Sequence, residues 1–193
     1  MVNRSVAVLE TTRRHRFSAD DYHRMDEAGV FPPDDRRYEL LDGEVLVMGP
    51  IGVRHSGCVV RLNHEFSALG SRAVVSVQGP LRLDDHSEPL PDLMLLCPPV
   101  TTYDDRHPTA ADVLLLVEVA DSSLAFDQRE KLPRYAAAGV REFWLIDLKT
   151  NRVEIHREPD GDTYREKRTF MRGDTVTPTA FPDHELSVDD LLP

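Results

Sequence analysis

The sequence predicts a mixed α/β fold, a sheet covered by helices, and three observations carry that prediction. The run Val113-Leu114-Leu115-Leu116-Val117 continues through Glu118 to Val119 and Ala120. Its length and its leucine and valine content mark a strand buried on both faces. A second apolar run, Phe143-Trp144-Leu145-Ile146, returns after a segment of helical spacing. Near the N-terminus, Tyr38 to Leu41, then Asp42-Gly43, then Glu44 to Met48 has the form of a β-hairpin, because Asp-Gly suits a tight turn at positive φ.

Taken in order, residues 1–16 show no period and read as a flexible lead-in to one domain over residues 17–193. Ser18 followed by Asp21 forms a capping-box pair, so a short helix is expected over 19–28. Pro32 to Asp35 is a loop, and Gly49-Pro50 ends the hairpin. Val59, Leu62, Phe66 and Leu69 lie on one face of a helix over 53–69. His55 and His64 on that helix read as surface or half-buried histidines. Strands are expected at 73–78 and 80–83, with Gln78 at their junction, and a third is introduced by Pro91-Asp92. Asp127 is placed as the cap of a helix that carries Lys131, Tyr135 and Ala138. Pro133 either kinks that helix or opens its first turn, and Gly139 closes it. Tyr135 and Trp144 read as core residues. A second hairpin turns at Pro159 to Asp162, and Leu186, Val188, Leu191 and Leu192 dock a short terminal helix.

Composition bounds the function. With 193 residues, 40% of them hydrophobic, the chain can form one domain with a proper core. No apolar run approaches the roughly 20 residues that span a bilayer, and the first residues lack the apolar core of a signal peptide. A cytoplasmic protein with reduced Cys58 and Cys97 is therefore expected, since the two cysteines share no metal-ligand spacing. The net charge of −11 opposes long-range attraction of nucleic acid. Arg13, Arg14 and Arg16, Arg36 and Arg37, and Arg165, Lys167, Arg168 and Arg172 form local basic clusters that read as solvated faces.

One constellation asks for a chemical explanation. Glu118 stands inside the most apolar strand, where an unpaired carboxylate costs several kcal/mol and needs a metal, a lysine or a cleft. Asp92 introduces a second apolar strand, Glu39 lies on the hairpin, and Lys131 follows on a helix. Two carboxylates with the Val119 carbonyl would offer oxygen ligands to a hard divalent ion such as Mg²⁺ or Mn²⁺. That ion would activate water for phosphodiester hydrolysis, with Lys131 orienting or deprotonating the water and stabilising charge. Glu39 would hold a second ion or a metal-bound water, and Gln78 a contact behind the ligands. From residue types alone, a metal-free Glu118–Lys131 ion pair, with Asp92 capping a turn, remains an equal alternative.

Three segments, RYELLDGEV at 37–45, EPLPDLMLL at 88–96 and LLVEVADSSLAFDQREKLPRYAAAGVREFWLID at 115–147, stand in an order and spacing that resemble the Uma-type endonuclease family. The resemblance covers about residues 17–175 and implies a restriction-endonuclease-like, PD-(D/E)XK fold. It implies catalytic roles for Asp92, Glu118 and Glu39. The superfamily's lysine position, two residues after the second acid, holds Ala120, so the resemblance assigns the lysine to Lys131. It also implies a Mg²⁺- or Mn²⁺-dependent endonuclease acting on DNA, and it allows a homodimer; the lack of a spanning apolar run leads us to expect no membrane partner. Two other functions stay open: a non-catalytic nucleic-acid- or protein-binding regulatory module, and a small phosphoester hydrolase.

Overall fold

The computed structural model describes residues 14–32 and 36–193. Most of the expected lead-in, and the loop residues Pro33 to Asp35, lie outside them. Helix α1 (Ala19–Glu27) begins at the expected capping box, with the Asp21 amide donating to Ser18 Oγ at 3.1 Å and the Ser18 amide to Asp21 Oδ2 at 3.0 Å. Strands β1 (Arg37–Leu41) and β2 (Glu44–Met48) form the antiparallel hairpin. Its turn takes φ of 51° at Asp42 and 77° at Gly43, the mirror-image turn that matches strand twist.

After helix α2 (Val53–Ser67) comes a six-stranded sheet in the order β3-β4-β5-β6-β7-β8. Its strands are β3 (Val74–Val77), β4 (Leu93–Leu96), β5 (Val113–Ala120), β6 (Glu142–Asp147), β7 (Arg152–Asp160) and β8 (Thr163–Met171). Only β5 and β6 run parallel. A parallel pair needs a crossover. Here it is helical, built from α3 (Leu124–Phe126), a π turn (Asp127–Lys131) and α4 (Leu132–Ala137).

Alternation along the strands separates two cores. Leu93, Leu95, Leu115, Val117, Trp144 and Ile146 face α2 and the terminal helix α5 (Val188–Leu191). Met94, Leu116, Phe143 and Leu145 face Tyr135, Ala136 and Val140. Glu118 shares parity with Leu116 and Ala120, so the pleat aims it at the crossover helix. Cys58 and Cys97 are both free thiols. No described helix is long and apolar enough to cross a membrane.

Four local expectations are corrected. Residues 80–83 form no strand: Pro80 has no donor, and the segment is held by isolated bridges and by the Leu81 amide on the Pro89 carbonyl at 2.9 Å. The strand expected from Pro91 starts two residues later, at Leu93. The second hairpin turns at Gly161-Asp162 only, because Pro159 pairs with Tyr164 and Asp160 with Thr163 inside the ladder. Asp127 is no helix cap. The helix starts at Leu124, and Asp127 lies buried in its second turn, taking a hydrogen bond from Ser123 Oγ at 2.6 Å. Pro133 stands at the first turn of α4, immediately after the last π-type bond, from the Leu132 amide to the Asp127 carbonyl.

Candidate active site

Register brings the two principal carboxylates together. Leu93 pairs with Val117, so one step further along both antiparallel strands Asp92 comes opposite Glu118. The hairpin closes over this end of the sheet through Leu40 and Glu88, whose backbones pair. That pairing carries Glu39 in. The crossover helix leaves β5 at the same end, and Lys131, the last residue of its π turn, points back beneath Glu118. The extra residue in a π turn shifts the helix face by about a third of a turn, a device recurrent at functional sites.

Glu39, Asp92, Glu118, Asp127 and Lys131 are between 1% and 4% exposed, yet all five line one cavity of about 220 Å³. Lys131 Nζ lies 3.1 Å from Glu118 Oε1 and 3.1 Å from Glu39 Oε2, bridging the two glutamates. The Tyr135 hydroxyl donates to Glu118 Oε1 at 2.6 Å. Asp92 Oδ2 accepts the Val119 amide at 2.9 Å and faces His55 Nε2 at 3.0 Å, and Gln78 Nε2 reaches Oδ1 at 3.3 Å. Val119 thus lines the cavity with its amide committed to Asp92. All six residues named from sequence (Glu39, Gln78, Asp92, Glu118, Val119, Lys131) meet here.

The electrostatics are those of surplus negative charge. Burial raises the Glu118 carboxyl well above its ordinary value; Lys131 opposes this, while Asp92, Asp127 and Glu39 add to it. Asp127 is raised by burial to about 6, despite the Ser123 hydrogen bond. Burial alone would lower the Lys131 ammonium, but Glu118, Glu39 and Asp127 together hold it above its ordinary value. Asp92 runs the other way: burial would raise it, but His55, the Val119 amide and Lys131 keep it lowered and ionised. Burial and the Glu118 charge push the Tyr135 phenol well above its ordinary value, so it serves as a donor.

Two other buried carboxylates, Glu142 and Glu154, are matched. Glu142 accepts from Trp144 Nε1 at 2.8 Å, Arg157 Nη2 at 2.7 Å and the Thr179 amide at 2.7 Å. Glu154 has Lys167 at 2.8 Å and Arg152 at 3.2 Å. In the cavity, four buried carboxylates, with the less buried Asp121 at its wall, share one buried ammonium. Glu39 Oε2, although close to Lys131, has no hydrogen bond of sound geometry, and His55 Nδ1 is buried without a partner. Oxygen donors in this number, with charge to spare, fit a hard divalent cation.

Sequence reasoning missed His55, Asp127 and the Tyr135 hydroxyl. The sequence reads His55 as a surface or half-buried histidine, and it is half-buried, but its contact with Asp92 is not foreseen; Asp127 reads as a cap and Tyr135 as core packing alone. The only signal for His55 was its place in the first turn of α2, just after the Gly49-Pro50 break.

A mixed sheet flanked by helices, with acidic residues converging at the ends of two adjacent central strands, defines a restriction-endonuclease-like α/β fold. The chain belongs to the Uma2 family, described as "Putative restriction endonuclease", whose profile matches residues 19–189. It is also similar in structure to a "putative nuclease belonging to DUF820" from Anabaena variabilis. That likeness has a TM-score of 0.68 at 16% identity, covering 91% of this chain and 97% of the other. No curated protein matches the sequence.

Proposed function

We propose that the protein is a metal-dependent endonuclease that hydrolyses phosphodiester bonds of DNA, with Asp92, Glu118 and the Val119 carbonyl holding Mg²⁺ or Mn²⁺. The observation that carries this reading is the set of four buried carboxylates around one cavity with a single ammonium among them. When bound, such an ion supplies Lewis acidity toward the scissile phosphate and lowers the pKa of water.

The chain's own residues do the rest. Asp92 is held ionised and oriented by His55, Gln78 and the Val119 amide, so it presents a fixed charge. Tyr135 and Lys131 fix Glu118 through Oε1. Because its neighbours favour the ammonium, Lys131 acts by orienting water and stabilising the charge that develops on phosphate, rather than by taking a proton. Glu39 would hold a metal-bound water or a second ion. Arg37, two residues before Glu39 on the same strand, lines the cavity too and supplies a cation for the substrate phosphate. Membership of the Uma2 family supports a nuclease, and the DNA substrate is part of the proposal.

The test is calorimetric titration of Mn²⁺ and Mg²⁺ into wild type and Glu118→Gln, beside a plasmid-nicking assay. Wild type should bind the ions and nick DNA only in their presence, and the variant should lose both. Absence of metal binding by wild type would overturn the proposal.

The bridging of Glu39 and Glu118 by Lys131 also favours a second reading, a non-catalytic binding module stabilised by a metal-free ion pair. In that case Asp92→Ala and Glu118→Gln would leave partner affinity intact, and no nicking would occur with any ion.

A further inference from the structure

A separate cluster lies on the far side of the segment Glu88-Pro89-Leu90-Pro91-Asp92. His23, Glu88 and His107 each offer a ligand atom, and these atoms all lie within 4.8 Å of one another. The three come from three parts of the chain, and each is tethered. His23 is on α1, whose first amide, that of Ala19, donates to the Asp85 carbonyl at 2.8 Å. Glu88 is pinned by its amide on the Leu40 carbonyl at 2.7 Å. His107 sits beside Pro108, whose carbonyl accepts the Arg82 amide at 2.9 Å. Short backbone bonds thus bring the side chains together before any ligand arrives.

We propose that His23, Glu88 and His107 form a binding site for a Zn²⁺-class transition-metal ion. Two imidazoles and one carboxylate are donors of intermediate softness, which suit Zn²⁺ at about 2.0–2.2 Å and leave a fourth position open. Glu88 is 2% exposed, while His107 is exposed and His23 half-exposed, so the ligands run from the core to solvent. His23 and His107 line two clefts that meet at this point, which gives an entry path and room for a water or a fourth ligand. Asp26 and Glu27 line the first of these clefts, with no Lys or Arg among its lining residues, and make that approach negative.

The surroundings orient the ligands. Glu88 Oε1 is 2.6 Å from His23 Nε2, and Arg82 Nε lies 3.3 Å from the other oxygen, Oε2. Arg82 is thus ion-paired with Oε2, without hydrogen-bond geometry, while Oε1 is turned toward His23, which places Arg82 as an electrostatic outer partner to a metal ligand. The two imidazole rings meet edge to face with centroids 5.3 Å apart. The neighbouring Arg106 does not compete, since Asp112 takes both its terminal nitrogens at 2.7 and 2.9 Å. To admit an ion, the His23–Glu88 contact opens from hydrogen-bond length by a fraction of an ångström and the His107 side chain rotates inward.

Zinc can be titrated into the untagged full chain in competition with a chromophoric chelator, and Co²⁺ used as an optical probe of geometry. Wild type should bind one equivalent with a tetrahedral Co²⁺ spectrum, over and above any ion taken by the cavity, and His107→Ala and His23→Ala should lose that equivalent. His107 is exposed, so its loss leaves the fold intact. Arg82→Ala should weaken binding by roughly 10- to 100-fold, the usual effect of removing such a partner. Asp92→Ala and Glu118→Gln should keep the equivalent, which separates this site from the cavity and makes the test independent of the nuclease proposal. Equal Zn²⁺ binding by wild type, His23→Ala and His107→Ala, or no binding by wild type, would overturn it.

Discussion

At the scale of single residues, Lys131 and Asp127 show how the cavity's charge is held. Lys131→Met removes the sole cation that Glu39 and Glu118 share. Breaking a buried pair by deleting one partner costs about 3–5 kcal/mol. Glu118 can shed part of that cost by taking a proton, since burial already raises its carboxyl. Chemical unfolding should therefore show a loss of a few kcal/mol at neutral pH that shrinks as pH falls. Asp127 behaves oppositely. Its carboxyl is raised to about 6 from 3.8, so the fold binds its proton more tightly than the unfolded chain does. Stability from this group is present below the unfolded value and is lost as pH rises through about 6. At about 1.4 kcal/mol per unit, the penalty at neutral pH is on the order of 2–3 kcal/mol. Asp127→Asn keeps an acceptor for Ser123 and removes the charge. In chelator-treated protein it should be more stable than wild type at neutral pH and show a flatter stability profile between about pH 4 and 6. An unchanged profile would mean that Asp127 is not strained by its surroundings.

At the scale of elements, two glycines separate backbone strain from steric overlap. Gly139 ends α4 at φ 84°, with the Val140 amide on the Tyr135 carbonyl, and a Cβ there would meet nothing within 4 Å. Gly43 sits at φ 77° in the β1–β2 turn, where a Cβ would lie 2.6 Å from Arg16 Cβ and 2.9 Å from its Cα. Gly139→Ala should cost about 1 kcal/mol from conformation alone. Gly43→Ala should cost more and break the Phe17 amide bond to the Gly43 carbonyl; urea melts of both variants check the order. These elements were legible because each rests on a local rule. The Asp-Gly turn, the Ser18–Asp21 box and the Gly139 stop need no partner to be read. Glu118 was legible for the same reason, as a charge where apolar periodicity forbids one. The π turn was not, because Lys131 and Tyr135 keep a spacing of four that looks like an ordinary helix, and the extra residue lies upstream, where it buries Asp127. His55 was hidden because its meaning depends on Asp92, thirty-seven residues away, and on strand register that only the assembled sheet sets.

At the scale of the whole molecule, the −11 charge and the basic clusters fall into place once partners are known. Arg165, Lys167, Arg168 and Arg172 each face a carboxylate, those of Asp160, Glu154, Glu166 and Asp189 respectively, so these cations are matched within the protein. A small part of the excess negative charge lies buried in the cavity, where low exposure keeps salt from screening it. Under the metal-dependent proposal, a divalent ion bound there would relieve it at neutral pH, where proton uptake by Glu118 and Asp127 relieves only part. Mg²⁺ at about a hundred times its dissociation constant would stabilise the fold by about 2.7 kcal/mol. For a chain of this length that is a rise in Tm of about 5–10 °C. Monovalent salt at matched ionic strength should not reproduce the rise, and Glu118→Gln should abolish most of it. Mg²⁺ is the ion to use because the His23–Glu88–His107 cluster, with two nitrogen donors, has little affinity for it, so a His107→Ala chain should respond as wild type does. A rise that persists in Glu118→Gln would place the stabilising ion outside the cavity and leave its four carboxylates without the partner their burial implies.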